Sequence, residues 1–215
     1  MAPSKRTRRI PGACGVGGAA TRKKTAAHHR LRPMRQGDLD GLCGVYSIVN
    51  AARLLAPKLG EKGTKQLFAN LMQAVRRLDR GQKAIAHTGL ERDQLGKLIE
   101  AMQAHMAKKH GVGIVVRHVP PDLRREWSVA TLWRWLGRGL TSRSVAILGL
   151  HGRHDHWTLA VAVTPGQIAL YDSDRLRVLR RSQCAVSGRR GRGLNIIKAA
   201  DVILLSCKGS RQMQA

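Results

Sequence analysis

Apolar residues recur at helical spacing through the first half of the chain. The first such pattern ends at Pro57 and consists of Val45, Ile48, Val49, Ala52 and Leu55, which share one face of a helix. The same periodicity predicts two further amphipathic helices, at residues 64–78 and 91–108. Ser128 has the chemistry of an N-cap and predicts a fourth, shorter helix directly after it.

The second half of the chain contains short apolar runs bounded by turn residues, which is typical of strands. The predicted strands are residues 111–118, 144–150, 156–163, 167–171 and 201–206. Thr164, Pro165 and Gly166 separate the third run from the fourth, so we expect these two to form a hairpin. Helices followed by antiparallel strands predict an α+β fold, with an N-terminal helical layer packed on a C-terminal antiparallel sheet.

The chain is strongly basic, since 39 Lys and Arg stand against 13 Asp and Glu for a net charge of +26. Residues 1–35 hold ten of these cations, no acidic residue and no apolar periodicity. They predict a disordered basic tail, or a mis-assigned translation start with Met34 as the true initiator. One domain is then expected at residues 36–208, followed by a flexible C-terminus at residues 209–215.

Cysteine usage and hydropathy predict the compartment. No apolar stretch approaches the roughly 18 residues of a membrane-spanning helix, so no membrane span is expected. The four cysteines are widely spaced without a CxxC pair, at Cys14, Cys43, Cys184 and Cys207. This spacing argues against a thiolate zinc site and predicts free thiols in a reducing, cytoplasmic environment. An acid-free, Arg-rich N-terminus would equally suit an organelle transit segment in a eukaryote.

Cys43 stands where a glycine-punctuated loop turns into the first amphipathic helix. A helix N-terminus offers unpaired N–H groups and the positive end of the helix dipole, and both stabilise a thiolate. The same N–H groups can receive the oxyanion of an acyl-transfer intermediate, and the side chain of Gln36 could supply a second donor. A buried, inert cysteine is the alternative interpretation.

His156 opens one strand of the predicted hairpin, and the returning strand brings a carboxylate back towards it. An imidazole beside a thiol needs an acceptor on its other ring nitrogen. A turn centred on Pro165 would place Asp174 opposite His156, whereas a turn centred one residue earlier would place Asp172 there. From the residues alone, both acids remain candidates for orienting the imidazole.

The order Gln36, Cys43, His156, Asp172 resembles that of papain-fold cysteine peptidases, and within them the group that processes the double-glycine leaders of bacteriocins. The resemblance lies in a cysteine that opens a helix before a small residue, and in a His-aromatic strand with an Asp sixteen positions after the His. It implies that Cys43 is the nucleophile, His156 the general base and acid, Asp172 the orienting residue and Gln36 an oxyanion donor. It further implies a papain-like fold, a peptide or protein substrate, and peptidase or isopeptidase chemistry through an acyl-enzyme without a cofactor.

Three other functions are open on the sequence. The same residues would serve a Cys-dependent deamidase or acyltransferase, or a degenerate peptidase-like domain that only binds peptides. A basic nucleic-acid-binding protein is the third, because the basic tail and the Arg-rich residues 175–192 would contact the phosphates of nucleic acid or an acidic protein. Only seven aromatic residues are present, which argues against a base-stacking platform. The spacing of His151, His154, Asp155 and His156 fits no standard structural zinc site, so no metal is expected.

Overall fold

The computed structural model describes residues 32–35, 41–78, 89–186 and 194–208. Its helices are α1 Cys43–Leu55, α2 Gly60–Arg76, α3 Arg92–His110, α4 Pro121–Arg125 and α5 Val129–Gly139. Its strands are β1 Ile114–His118, β2 Ser144–Gly152, β3 His156–Val163, β4 Gln167–Leu170, β5 Val178–Arg180, β6 Cys184–Ala185, β7 Asn195–Ile196 and β8 Val202–Cys207. Short 3-10 turns lie at Pro57–Leu59, Arg181–Gln183 and Ala199–Asp201.

Six strands form one antiparallel ladder in the order β1-β8-β2-β3-β4-β5. The α+β class predicted from the sequence is therefore confirmed. At its far end β2 leaves β3 and pairs with β7 instead, through His151 opposite Ile196 and Gly152 opposite Asn195. The last β2–β3 pair is Leu150 with His156. Residues 153–155 then connect the two strands, and the ends of both strands line a cleft.

Helices cover both faces of the sheet. On one face α1, α2 and α3 pack against alternate residues of the central strands, including Val145, Ile147 and Leu159. On the other face α5 packs against Ala146, Leu148 and the neighbouring strands. The single helical layer expected from the sequence is thus incomplete, because α5 lies on the opposite face. Burial on both faces also explains why β2 is an unbroken apolar run.

The helix ends follow local capping chemistry. Ser128 accepts a hydrogen bond from the Thr131 N–H at 3.0 Å, as an N-cap should. Glu91 and Gln94 form a reciprocal capping box at the start of α3. Gly111 ends α3 in the left-handed conformation, which glycine adopts without steric cost. The capping box fixes the start of α3, and Glu91 and Arg92 at this start line the cleft.

Residues 32–35 contact the folded domain. Asn50 Oδ1 accepts from the Met34 N–H at 2.9 Å, and the Arg53 guanidinium donates to the Arg32 carbonyl at 2.7 Å. The last residues of the expected tail, 32–35, thus contact α1. The rest of that tail and the expected flexible C-terminus at 209–215 lie outside the described residues.

Among the described ranges, no helix combines the length and the apolar character that crossing a bilayer requires. Cys43, Cys184 and Cys207 are free thiols, as the spacing predicted. Cys14 lies outside the described residues.

Candidate functional site

Cys43 is the first residue of α1 and is 7% exposed. The N–H groups of the first helical turn have no helical acceptor, so they surround the sulfur with the positive end of the helix. The next position must be glycine-sized, because a Cβ on Gly44 would lie 2.8 Å from Leu90 Cδ1 and 3.0 Å from Leu95 Cδ1. The helix tip therefore packs directly against the segment that leads into α3.

Trp157 makes three hydrogen bonds, two of which connect the start of β3 to α1 and one of which reaches the segment before α3. Its backbone N–H donates to Cys43 Sγ at 3.4 Å, and its carbonyl accepts from the Ser47 hydroxyl at 2.9 Å. Its indole Nε1 donates to the Leu90 carbonyl at 2.8 Å. Cys43 and Ser47 are one helical turn apart and so share a face of α1. The strand is consequently held in a defined register along the helix that carries the sulfur.

His156 precedes Trp157 and contacts both the sulfur and a carboxylate. Its Nε2 lies 2.7 Å from Asp172 Oδ1, and the two side chains are 12% and 0% exposed. The same imidazole interacts with Cys43. Because Nε2 is engaged with Asp172, the nitrogen left for the sulfur is Nδ1. Cys43, His156 and Asp172 are therefore brought together in the order S, imidazole, carboxylate.

The environment of His156 favours its charged form. Burial by itself lowers the pKa of this imidazole, but the hydrogen bonds to Asp172 and Cys43, with the negative charge on both groups, outweigh it and raise the pKa to about 10. At neutral pH His156 is accordingly an imidazolium. An imidazolium next to a cysteine sulfur is the pairing of base and nucleophile that covalent acyl transfer uses.

Asp172 is itself held by the backbone of the turn that follows β4. Its Oδ2 accepts from the N–H groups of Asp174 at 2.8 Å and Leu176 at 3.1 Å. Burial opposes ionisation, but the hydrogen bond and the charge of His156 leave the pKa of Asp172 below its usual value. Arg175 closes this turn at a φ of 65°, a conformation that non-glycine residues rarely adopt. The carboxylate is fixed and charged before any substrate arrives.

Asp174 does not take the orienting position that the sequence left open for it. Its side chain is exposed, and only its backbone N–H contributes to the site, through Asp172. The β3–β4 ladder ends at Ala160 opposite Leu170, after an irregularity between positions 160 and 162. Neither acid lies opposite His156 in a ladder, and Asp172 reaches it from the turn.

The other predicted groups are only partly described. Gln36 falls in residues 36–40, outside the described ranges, so its oxyanion role stays a prediction. Within the Arg-rich stretch, Arg175, Arg177 and Arg180 are exposed, while Arg181 lies over the Trp133 ring at 5.6 Å from its centroid. Arg189, Arg190 and Arg192 lie outside the described residues.

A cleft of about 420 Å³ opens beside the sulfur. Its walls come from β2, β3, the entry to α3 and the segment before β8. The lining residues are Cys43, Gly89, Leu90, Glu91, Arg92, Gly149, Leu150, His151, Asp155, His156, Trp157, Lys198 and Asp201. The Cys43 sulfur and the His156 imidazole both belong to residues that line this cleft.

Sequence reasoning missed several groups that shape the site. Ser47 carried a usable signal, since a small polar residue one turn after Cys43 interrupts an otherwise apolar helix face. Asp201 was placed at the start of a strand, whereas it ends a 3-10 turn and bonds to His151. The Leu90 carbonyl that accepts from Trp157 could not be predicted, because every residue has a backbone carbonyl.

Among the described residues, no group of three or more His, Cys, Asp or Glu side chains is arranged to hold a metal ion. His151 pairs with Asp201 at 2.8 Å, and the His156 imidazole is committed to Asp172.

Comparison with protein-family models and with curated proteins finds no match to this chain. The functional conclusion depends on the geometry around Cys43, His156 and Asp172.

Proposed function

We propose that this protein is a cysteine hydrolase of papain-like architecture, which cleaves a peptide or isopeptide bond through an acyl-enzyme on Cys43. His156 is the general base and acid, and Asp172 orients it. The single observation that carries the proposal is the meeting of these three side chains, which belong to a helix tip, a strand start and a turn that are distant along the chain. No cofactor is needed for this chemistry.

The electrostatics of the cluster support the same conclusion. Burying a carboxylate is costly, and here two backbone N–H groups and one imidazole offset that cost for Asp172. The same imidazole contacts the thiol. This is the arrangement of nucleophile, base and orienting group that covalent acyl transfer requires.

The reaction follows from the protonation state of the pair. The Cys43 thiolate attacks the substrate carbonyl, and the carbon–sulfur bond forms as the carbonyl electrons move to oxygen. The His156 imidazolium then protonates the leaving amine, and the carbon–nitrogen bond breaks. Neutral His156 next removes a proton from water, hydroxide displaces the thiolate, and the acid product leaves. Asp172 keeps Nε2 engaged, so that Nδ1 always faces the sulfur side.

The oxyanion of the tetrahedral intermediate needs hydrogen-bond donors near the sulfur. The first-turn N–H groups of α1 have no helical acceptor and converge at the residue that carries the nucleophile. The Gln36 side chain would add a second type of donor, as the resemblance to papain-fold peptidases implies. Removing one such donor typically costs about 10²–10³ in rate.

The proposal is tested by product analysis with matched variants. The purified chain is incubated with a proteome-derived peptide mixture, and mass spectrometry records new termini. Wild type and Cys207→Ala should produce the same cleavages, whereas Cys43→Ala and His156→Ala should produce none while retaining the circular dichroism of the fold. Cleavage that persists in Cys43→Ala would overturn the proposal.

The same measurement separates the related chemistries. A deamidase would convert Gln to Glu without new termini, and an acyltransferase would attach an added primary amine such as methylamine. A degenerate peptide-binding domain would give no product and would not form a covalent adduct with a peptidyl epoxide at Cys43. Hydrolysis with new termini is the outcome expected here.

Exposed arginines favour binding to a polyanion as a second property. Arg177 directly precedes β5 and Arg180 ends it, and both are exposed, as is Arg175. Such a cluster attracts phosphates without reading bases. Salt-dependent binding to a single-stranded oligonucleotide that is weakened by Arg177→Glu with Arg180→Glu, and unchanged in Cys43→Ala, would establish it. Binding unaffected by the arginine changes would refute it.

A further inference from the structure

The cleft holds a second imidazole–carboxylate pair that the proposed reaction does not use. His151 Nε2 lies 2.8 Å from Asp201 Oδ2, and the Asp201 side chain is only 8% exposed. Asp201 packs closely against β2 because position 149 is glycine, where a Cβ would lie 2.8 Å from Asp201 Cβ. The pair is therefore built into the cleft wall and does not arise from a chance surface contact.

Two cations, Arg92 and Lys198, line the same cleft as this pair. Arg92 bonds to segment 198–201, and Lys198 belongs to it. The Arg92 Nε donates to the Ala200 carbonyl at 2.9 Å, and Lys198 immediately precedes the 3-10 turn that ends at Asp201. Both residues line the cleft together with Cys43 and His156. Segment 198–201 thus gathers Arg92, Lys198 and His151 at one wall.

The acids and the cations of this wall differ in whether the protein itself supplies their partners. The acceptors of two cleft acids are engaged within the protein, because Glu91 caps α3 and Asp201 bonds to His151. Among the described residues, the Lys198 ammonium has no such partner, and the nearest carboxylate to the Arg92 terminal nitrogens is the exposed Asp93 at 3.9 Å. Both cations are exposed to solvent and lack a close carboxylate partner among the described residues, so their positive charge can attract an anionic ligand that enters the cleft.

Asp155 is an exposed carboxylate that lines the same cleft. Its Oδ1 lies 3.8 Å from His151 Nδ1, while its side chain is 96% exposed. At this exposure and distance, the contact with His151 contributes little to the stability of Asp155's position. A substrate carboxylate that contacted Arg92 and Lys198 would be held more strongly than Asp155 is held by this contact.

We propose that Arg92 and Lys198 form a subsite that binds a carboxylate of the substrate, in the same cleft as Cys43. The inference rests on the proposed hydrolase function, since it places this carboxylate next to the bond that is attacked. Arg92 and Lys198 are the specificity-determining residues. The His151–Asp201 pair is a fixed part of the wall that carries them, and Asp155 is a cleft acid whose negative charge opposes a substrate carboxylate.

Two small alkylating agents test the subsite without a known substrate. Iodoacetate and iodoacetamide both react when the thiolate displaces iodide, so that a sulfur–carbon bond forms and a carbon–iodine bond breaks. They differ only in the carboxylate. The ratio of their rate constants at Cys43, measured by mass spectrometry in a Cys14→Ser background, reports attraction of an anion to the cleft.

The subsite predicts that removing a cation and removing an acid from the cleft change the iodoacetate-to-iodoacetamide ratio in opposite directions. Lys198→Glu should lower the iodoacetate-to-iodoacetamide ratio by about fivefold, the size expected for reversing one charge at roughly 8 Å in water. Asp155→Asn should raise the ratio by about twofold on the same basis. Lys58→Glu, at the opposite end of α1 from Cys43, is the matched control and should leave it unchanged.

Peptide competitors then distinguish the source of the carboxylate. An amidated dipeptide containing Glu, and a Gln dipeptide with a free C-terminus, are compared for protection of Cys43 against iodoacetamide. Protection by the first assigns the subsite to an acidic side chain, and protection by the second assigns it to a chain terminus. Protection by neither, or a ratio equal in Lys198→Glu, Asp155→Asn and Lys58→Glu, overturns the subsite. If Cys43 fails to react with either reagent, the hydrolase proposal itself is refuted.

Discussion

The backbone N–H of Trp157 donates a hydrogen bond to the sulfur of Cys43, 114 positions earlier in the chain. This contact joins the helix that holds the thiol to the strand that holds His156, the residue before Trp157. It sets the distance on which the proposed chemistry depends, and it uses a main-chain donor, so no side-chain substitution at position 157 removes it directly. The surrounding contacts are therefore the ones to change.

Thiol reactivity should single out Cys43. Burial raises the pKa of the Cys184 thiol to about 11, and burial also raises that of Cys207, so both are protonated and slow at neutral pH. In a Cys14→Ser background, iodoacetamide at pH 7 should label Cys43 first, as shown by peptide mapping over time. Equal labelling of the three cysteines would mean that Cys43 is an ordinary thiol.

Ser47 should act as a positioning residue. Ser47→Ala leaves the buried Trp157 carbonyl without its donor, at a cost of about 1–3 kcal/mol in unfolding free energy. Because β3 would be less firmly held against α1, the alkylation rate of Cys43 at pH 7 should also fall. Ser47→Thr keeps the hydroxyl and should restore both. A purely structural role would change the stability but leave the pH dependence of alkylation unaltered.

Gly44 should be intolerant of a side chain, whereas Gly96 should accept one. Gly44→Ala places a methyl group 2.8 Å from Leu90 Cδ1, and such overpacking costs about 1–3 kcal/mol. Gly96 lies within α3 with no atom near its missing Cβ, so Gly96→Ala should stabilise by about 0.5–1 kcal/mol through helix propensity. Urea denaturation of both variants checks this. Similar midpoints for the two would contradict the packing described at the helix tip.

Local periodicity predicted much of this fold. The first helix and the strand that begins at His156 were found because each has one strong pattern, of period 3.6 for α1 and a bounded apolar run for β3. The short strands β5, β6 and β7 have two or three residues each and carry no such pattern. The position of α5 on the second face depends on tertiary packing, which local sequence does not encode.

The candidate site was predicted in its residue types and less well in its geometry. Cys43 and His156 could be chosen because each begins an element, where side chains face a cleft. The choice between Asp172 and Asp174 depended on where the β3–β4 ladder ends, and a register irregularity decides that. The His151–Asp201 pair joins positions 50 residues apart, and only the folded chain reveals it.

Asp172 should control the charge of His156. In Asp172→Asn the imidazole loses a carboxylate partner, so its pKa should fall from about 10 towards its ordinary value of 6.5. Turnover should drop by about 10²-fold, and the alkaline limb of the pH–rate profile should move to lower pH. Asp174→Asn is the matched control, because Asp174 contributes only its backbone N–H. An equal effect of both substitutions would show that Asp172 has no special role.

The state of the His156 imidazole tests the central claim most directly. Nitrogen-15 NMR of histidine-labelled protein, with His156 assigned by comparison with His156→Gln, measures its protonation from pH 5 to pH 11. The account predicts that His156 remains an imidazolium through neutral pH and titrates near pH 10, and that Cys43→Ala lowers this value because the thiolate partner is gone. A titration near pH 6.5 that is the same with and without Cys43 would contradict the thiolate–imidazolium pair.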